Sequence, residues 1–471
     1  MLFQTIEFLY FFLLLVLVML AAKANTSKKT WLLLFSYGFY MFWNPAFIFL
    51  LLGTTIFNFF TGKLIANSST KKKWLILTIL TNLSLLAFFK YYHFLEDNLF
   101  FILRFFGHQP SWTSLNVLLP IGISFYTFEV ISYNVDIYKG DTKPASNLID
   151  FALFLAFFPR LVAGPILRPN DFISQLKEKK DLNYDSKYLL LFIKGLFKKI
   201  IIADNLTTFA DFVLNSPENY PSIVIWVAVL CFTVQIYCDF SGYSDMAIAL
   251  AGFLGFHFPI NFNRPYFAIS PSDFWTKWHI SLSSWLKDYL YIPLGGNRGS
   301  ALKTYRNLML TMLLGGLWHG ASWNFVVWGG LHGFILVVYR ILSLDKKFQK
   351  LTNPFLWVIA WFIFQYFVWI SWISFRITDF DKMLIAMKKF VLFDFNFQIQ
   401  NMGLGRLNFF STLLFLFGFM ILHFISYKVN GFENYINRMS KKAQIMSFFI
   451  LGMIFFFLWP LKEAPFIYFQ F

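Results

Sequence analysis

Two histidines, His319 and His332, interrupt the apolar stretch "LLGGLWHGASWNFVVWGGLHG" at residues 313–333. Imidazole is the side chain whose unperturbed pKa lies nearest neutrality, so it serves as a general base, a proton carrier or a metal ligand. An ionisable group at membrane depth is expensive and is by default a functional candidate. The competing reading is a neutral ring hydrogen-bonded inside a helix bundle. If the stretch is one helix, thirteen residues between the histidines set them roughly 220° apart, too far round for a shared ion. No H-E-x-x-H pattern occurs in the chain, so zinc hydrolysis is not indicated. A third ring, His279, lies in "SPSDFWTKWHISLSSWLKDYLY" at residues 270–291. Acid–base chemistry or packing is what remains for all three.

Four acids stand in equally apolar surroundings. Glu129 and Asp136 are seven apart and share a helix face with Tyr126 and Tyr133. Asp239 and Asp245 are six apart in "QIYCDFSGYSDMAIAL" and only loosely co-facial. A polar stripe of this kind lines a cavity, carries protons or forms a hydrogen-bonded network, and the network is the reading adopted for all four. Cys231 and Cys238 are the only cysteines. Seven residues put them about 10 Å apart along a helix, too far for one metal or one disulfide, so they read as small buried hydrophobes.

The elements that must position these groups are membrane helices. Hydrophobic residues make up 58% of the 471 and charged residues 14%, against roughly a quarter charged in soluble domains. Leu2–Ala22, Trp74–Lys90, Trp357–Phe375 and Ala443–Leu461 are each near the length that crosses ~30 Å of hydrocarbon. Roughly eleven to thirteen such segments recur along the chain. The net charge of +16 sits mostly between them, in "TSKKT", "STKKKW", "QLKEKKD", "LDKKFQK" and "MSKKAQ". That is the pattern of cytoplasmic loops, not a track for nucleic acid. Lys23, Lys28 and Lys29 follow the first apolar run, and Arg438, Lys441 and Lys442 precede the last. The bias predicts an uncleaved first helix, with both termini outside.

Within this frame Ser270–Tyr291 is distinct. Ser270, Pro271 and Asp273 form a helix start. Phe274, Trp275, Trp278, Leu282, Trp285, Leu286 and Tyr289 repeat at helical spacing, with Thr276, His279, Ser283 and Lys287 opposite. The expectation is one amphipathic helix at the interface or along a wet cavity, its tryptophans at headgroup level, ended by Pro293, Gly295 and Gly296. Gly316 with Gly320, and Gly329 with Gly333, are small residues four apart, a spacing that lets helices approach closely. Neither a soluble domain nor an internal repeat is visible, so the chain reads as one integral-membrane domain, 1–471. Residues 118–333 bear the motifs, and 334–471 are C-terminal helices.

The motif-bearing part resembles the membrane-bound O-acyltransferase family, in its bacterial branch that O-acetylates polysaccharides such as alginate and peptidoglycan outside the cell. The matching stretches are "LPIGISFYTFEVISYNVDIYKG", "FFPRLVAGPILRP", "QIYCDFSGYSDMAIALAGFLGF", "FNRPY", "SPSDFWTKWHISLSSWLKDYLYIPLGGNRG" and "GGLWHGASWNFVVWGGLHG", in family order across most of 118–333. Glu129 stands where glutamine is expected, so no role is carried to it. The resemblance implies an all-α ring of tilted and re-entrant helices around a tunnel. It makes His319 the catalytic histidine and His279 the second motif histidine. A hydroxyl attacking a thioester must lose its proton, and imidazole suits that task. The tunnel also excludes the water that would hydrolyse the thioester. For the oxyanion, Trp323 and Asn324 are candidates by position only.

The terminal "FIYFQF" resembles the F-x-Y-F-x-F end found in this branch and in small partners of teichoic-acid D-alanylation. It implies that Tyr468 relays the acyl group; the bland alternative is an aromatic belt at the membrane surface. The resemblance further implies acetyl-CoA as donor substrate, with no permanently bound cofactor. Lys277, Lys287, Arg298 and Arg306 are placed to meet its phosphates, or are cytoplasmic positive charges and nothing more. The implied partners are the lipid bilayer, an extracytoplasmic SGNH-type O-acetyltransferase and, through it, a polysaccharide. The implied location is the bacterial inner membrane. D-Alanyl transfer onto teichoic acid is the near rival. A transporter of lipid-linked sugar, with Glu129 and Asp136 as proton sites, is the rival of another class, and a structural scaffold is a third.

Overall fold

A computed structural model describes residues 1–109, 112–348, 351–396, 405–429, 431, 435, 436, 438–460 and 464–467. The described residues form helices and no strand. Among the described residues, seven helices are long and apolar enough to cross a membrane: Phe47–Asn67, Lys71–Phe105, Ser222–Phe253, Trp323–Ile341, Pro354–Arg376, Phe409–Lys428 and Lys441–Leu458. Ile6–Ala21 is a shorter apolar helix. Other apolar runs are broken, as in Leu148–Ala156 and Phe158–Leu161, where the chain turns at Phe157. Helix Lys441–Leu458 has no buried residue although it is almost wholly apolar, a surface that only hydrocarbon can cover. The chain is therefore an all-α, multi-pass membrane protein. Cys231 and Cys238 are free and buried in one helix.

By contact the chain, read above as one domain, divides into two compact units: 1–188 with 247–259, and 189–246 with 260–471. In the first unit, Asn58, Asn82 and Asn134 come from three helices and meet in its buried interior. Asn58 Oδ1 accepts from Asn82 Nδ2 and Asn134 Nδ2, each at 3.0 Å. Without water, such amides must satisfy one another, and they tie helices whose apolar faces distinguish poorly between neighbour and lipid. Glu129 pairs with Arg160, both almost fully buried, so this acid answers a cation inside the fold. Two of the basic segments meet: Lys28 pairs with Asp181 at 2.5 Å, and Asn25 Nδ2 donates to the Glu178 carbonyl at 3.2 Å.

The second unit is built around the hairpin of Ala301–His319 and Trp323–Ile341. Residues 313–333 are thus two helices, not one. Ser322, in extended conformation, starts the second after the chain reverses at Gly320–Ser322. A Cβ on Gly316 would meet the Phe325 carbonyl, and one on Gly329 the Met312 carbonyl. The glycines therefore face each other across the hairpin and let two backbones touch, as the small-residue spacing implied. Gly316→Ala forces the helices apart. Its expected destabilisation is ~1–3 kcal/mol, read as a lowered thermal midpoint of the detergent-solubilised protein.

Ser270–Tyr291 departs from expectation. Ser270 does cap, its hydroxyl accepting from Asp273 N at 3.3 Å. The helix ends at Trp275, His279 takes a left-handed φ of 42°, and a new helix runs Ile280–Leu286. The break takes His279 off the polar stripe into full burial, and Trp278 is 2% exposed instead of lying at headgroup level. Trp278 stacks on Phe274 with centroids 5.6 Å apart and packs on Trp372 at 5.0 Å. Apolar periodicity survives because both fragments bury the same kind of face; the register between them does not.

Candidate active site

His279 and His319 are both brought to one aromatic residue of the second unit. The Trp318 ring lies 5.1 Å from His319 and 6.2 Å from His279, centroid to centroid. His319 closes helix Ala301–His319 and is 4% exposed. Trp328 at 5.0 Å and Phe375 at 5.2 Å complete its enclosure. The hairpin supplies Trp328 and helix Pro354–Arg376 supplies Phe375, so three elements fix one imidazole.

Hydrogen-bond logic assigns the tautomer of His279. Asn261 Oδ1 accepts from the Ser281 backbone N–H at 3.1 Å and from Ser281 Oγ at 2.9 Å. An N–H only donates, so that Asn261 atom is the oxygen. His279 Nδ1 faces the same oxygen at 3.3 Å and must carry the proton. Nε2 is then a bare lone pair. It is buried and has no hydrogen-bond partner among the described residues. Phe240 at 4.6 Å and Phe262 at 6.3 Å flank the ring. A fixed imidazole with a free lone pair can accept a hydrogen bond from a donor that reaches Nε2. The left-handed backbone at 279, uncommon for a residue with a Cβ, is what turns the ring toward Asn261.

His332 is placed differently. Ser371 Oγ donates to Val368 O at 2.7 Å and therefore accepts from His332 Nε2 at 3.1 Å. Phe274, Trp275, Trp328 and Phe367 surround the ring, as suits a packed, hydrogen-bonded histidine. Trp323 is exposed, and the Asn324 amide donates to the Ile377 carbonyl.

Of the proposed donor cations, Lys277 is held by Asp273 at 2.8 Å, which offsets its charge. Arg306 Nη2 donates to Asn307 Oδ1 at 2.9 Å, while Lys287 and Arg298 are exposed. Tyr468 lies outside the described residues; the chain leading to it, 464–467, is described. Asp239 and Asp245 turn to different lysines, Lys199 at 2.8 Å and Lys198 at 2.7 Å. Sequence reading missed Asn261 as the partner of His279, though it directly precedes the "FNRPY" motif. A signal existed in the asparagine itself, an acceptor within an apolar stretch.

Residues 143–380 match the family model described as MBOAT, the membrane-bound O-acyltransferase family. The chain is 41% identical over 433 residues to a probable alginate O-acetylase, AlgI, of Pseudomonas aeruginosa, covering 90% of this chain and 81% of that protein. It is 41% identical over 401 residues to a peptidoglycan O-acetyltransferase of Helicobacter pylori, covering 79% and 75%. A teichoic acid D-alanyltransferase of Bacillus subtilis is 27% identical over 284 residues, covering 56% and 70%. Identity over nearly the whole chain, together with the enclosed histidines, makes this protein an acyltransferase and a member of the membrane-bound O-acyltransferase family.

Proposed function

We propose that the chain carries an acetyl group from cytoplasmic acetyl-CoA across the bacterial inner membrane, with both termini outside, to an extracytoplasmic SGNH-type O-acetyltransferase that esterifies a cell-wall or secreted polysaccharide. The names of the alginate and peptidoglycan relatives support acetyl over D-alanyl transfer, since the D-alanyl relatives are the more distant. The observation that carries the mechanism is the pair of enclosed imidazoles around Trp318, one with a fixed tautomer and an unpartnered nitrogen.

His319 acts as general base. It takes the phenolic proton of Tyr468 as the oxygen attacks the thioester carbonyl. The C–S bond breaks, the proton passes to the leaving thiolate, and free CoA departs. The acetyl group now sits on Tyr468 as a phenyl ester. A phenol of pKa about 10 is a far better leaving group than an alkyl alcohol, so the ester keeps much of the transfer potential of the thioester. A hydroxyl of the outside partner then collects the acetyl group, and Tyr468 regains its proton. His279, with its lone pair at Nε2, assists the proton movement. Lys277, Lys287, Arg298 and Arg306 are the proposed contacts for donor phosphates, with Lys277 the weakest because of Asp273.

The test is chemical. The purified chain in proteoliposomes, given acetyl-CoA, should release CoA thiol and gain the mass of one acetyl group on its C-terminal peptide. Label from a D-alanyl carrier protein, and none from acetyl-CoA, would replace this reading with the D-alanyl one. Asn261→Leu removes the acceptor that fixes His279 and lets its tautomers mix. Transfer rate should fall about tenfold with KM for acetyl-CoA unchanged, because Asn261 is not among the proposed donor contacts.

A further inference from the structure

The strongest buried charges of the second unit are not used by the transfer chemistry. Lys199, 3% exposed, lies between two carboxylates, 2.8 Å from Asp204 Oδ1 and 2.8 Å from Asp239 Oδ1. Charges removed from water to this degree add little net stability, and inside a membrane protein they persist where they define something. What these define is the course of the C-terminal segment. Asn205 Nδ2 donates to the Leu458 carbonyl at 3.0 Å. Lys199 Nζ donates to the Ala464 carbonyl at 3.0 Å. Asp239 Oδ2 accepts from the Ile467 N–H at 2.7 Å. The three grips follow one another along the chain and end one residue before Tyr468.

All three bonds reach backbone atoms. A lysine only donates and an ionised aspartate only accepts. The pair therefore reads a carbonyl at 464 and an N–H at 467, which fixes the path, and the buried side chains of Phe466 and Ile467 fix the register. Phe466 and Ile467 are each 1% exposed. The Phe466 ring packs on Tyr243 at 4.9 Å and on Phe240 at 6.2 Å, and Phe240 is the ring lying 4.6 Å from His279. Lys199 and Asp204 belong to a π-helical stretch, Phe197–Asp204, a wide turn common at functional sites. It turns both side chains into the cluster that receives the segment.

We propose that Lys199 and Asp239, with Asn205, form a seat that docks the C-terminal segment and sets the position of Tyr468. They are positioning residues for acyl transfer, an inference that rests on the relay reading of Tyr468. Hydrogen exchange of the full-length protein in nanodiscs, followed by mass spectrometry, reads the seat without reading activity. Glycan O-acetylation in cells carrying the same variants reads the relay. The C-terminal peptide of the unmodified protein should exchange slowly. In Lys199→Met and in Asp239→Leu its exchange should rise at least about tenfold, with the other helices unchanged, and O-acetylation should fall by a similar factor. Tyr468→Phe should leave exchange as in the wild type. A C-terminal peptide that exchanges like unstructured chain in the unmodified protein overturns the seat, even if the variants fail to fold. So does protection that survives in both variants. Faster exchange with undiminished O-acetylation would overturn the positioning role, whereas wild-type O-acetylation by Tyr468→Phe would end the relay on which it rests.

Discussion

His319→Ala is expected to remove O-acetylation, with the transfer rate down about 10²–10⁴-fold, the usual share of a positioned general base. The protein should still fold. The ring is boxed by Trp318, Trp328 and Phe375, and truncation leaves a cavity worth roughly 2–3 kcal/mol by comparison with other large-to-small core changes. His319→Gln separates the two effects. Glutamine nearly fills the space and forms hydrogen bonds, but it cannot take a proton near neutral pH. Equal loss of transfer in both variants, with a normal thermal midpoint in the glutamine one, is the expected result. Recovery of transfer in His319→Gln would make the histidine a packing group.

Tyr468→Phe should be nearly as severe, for a different reason. The substitution keeps the aromatic ring and removes only the nucleophilic oxygen. With purified protein and acetyl-CoA, no acetyl group should appear on the C-terminal peptide, and O-acetylation in cells should fall at least about 10²-fold. Both effects should occur with unchanged amounts of protein in the membrane. Wild-type O-acetylation by this variant would exclude the relay while leaving His319 free to activate an acceptor directly.

How much of this was legible depended on the range of the interaction. The membrane class followed from runs of apolar residues, a local property that no tertiary contact can reverse. The glycines at 316 and 329 announced a close approach of neighbouring helices, and the structure pairs them across the hairpin. The break at His279 was hidden because apolar residues on both sides kept a helical period through it. What ends the helix is the backbone reversal that brings His279 to Asn261, a contact eighteen residues away. Asp239 was recognised as part of a polar network but matched with Asp245, its neighbour in sequence. Its partner is Lys199, forty residues earlier on another helix, and no periodicity within one segment carries that information. Glu129 likewise answers Arg160 from a different motif. Local pattern gave element types and the histidines; pairings between segments needed the fold.

In the proposed mechanism His319 drives transfer of acetate to an external glycan. Base-released acyl groups of the cell envelope and secreted glycans should be measured in three strains: a deletion, the deletion restored with this protein, and the deletion carrying equally expressed His319→Ala. Acetate should return with the wild-type chain and stay absent with the variant. Acetate restored equally by His319→Ala, or D-alanine rather than acetate following the wild-type chain, would contradict this mechanism.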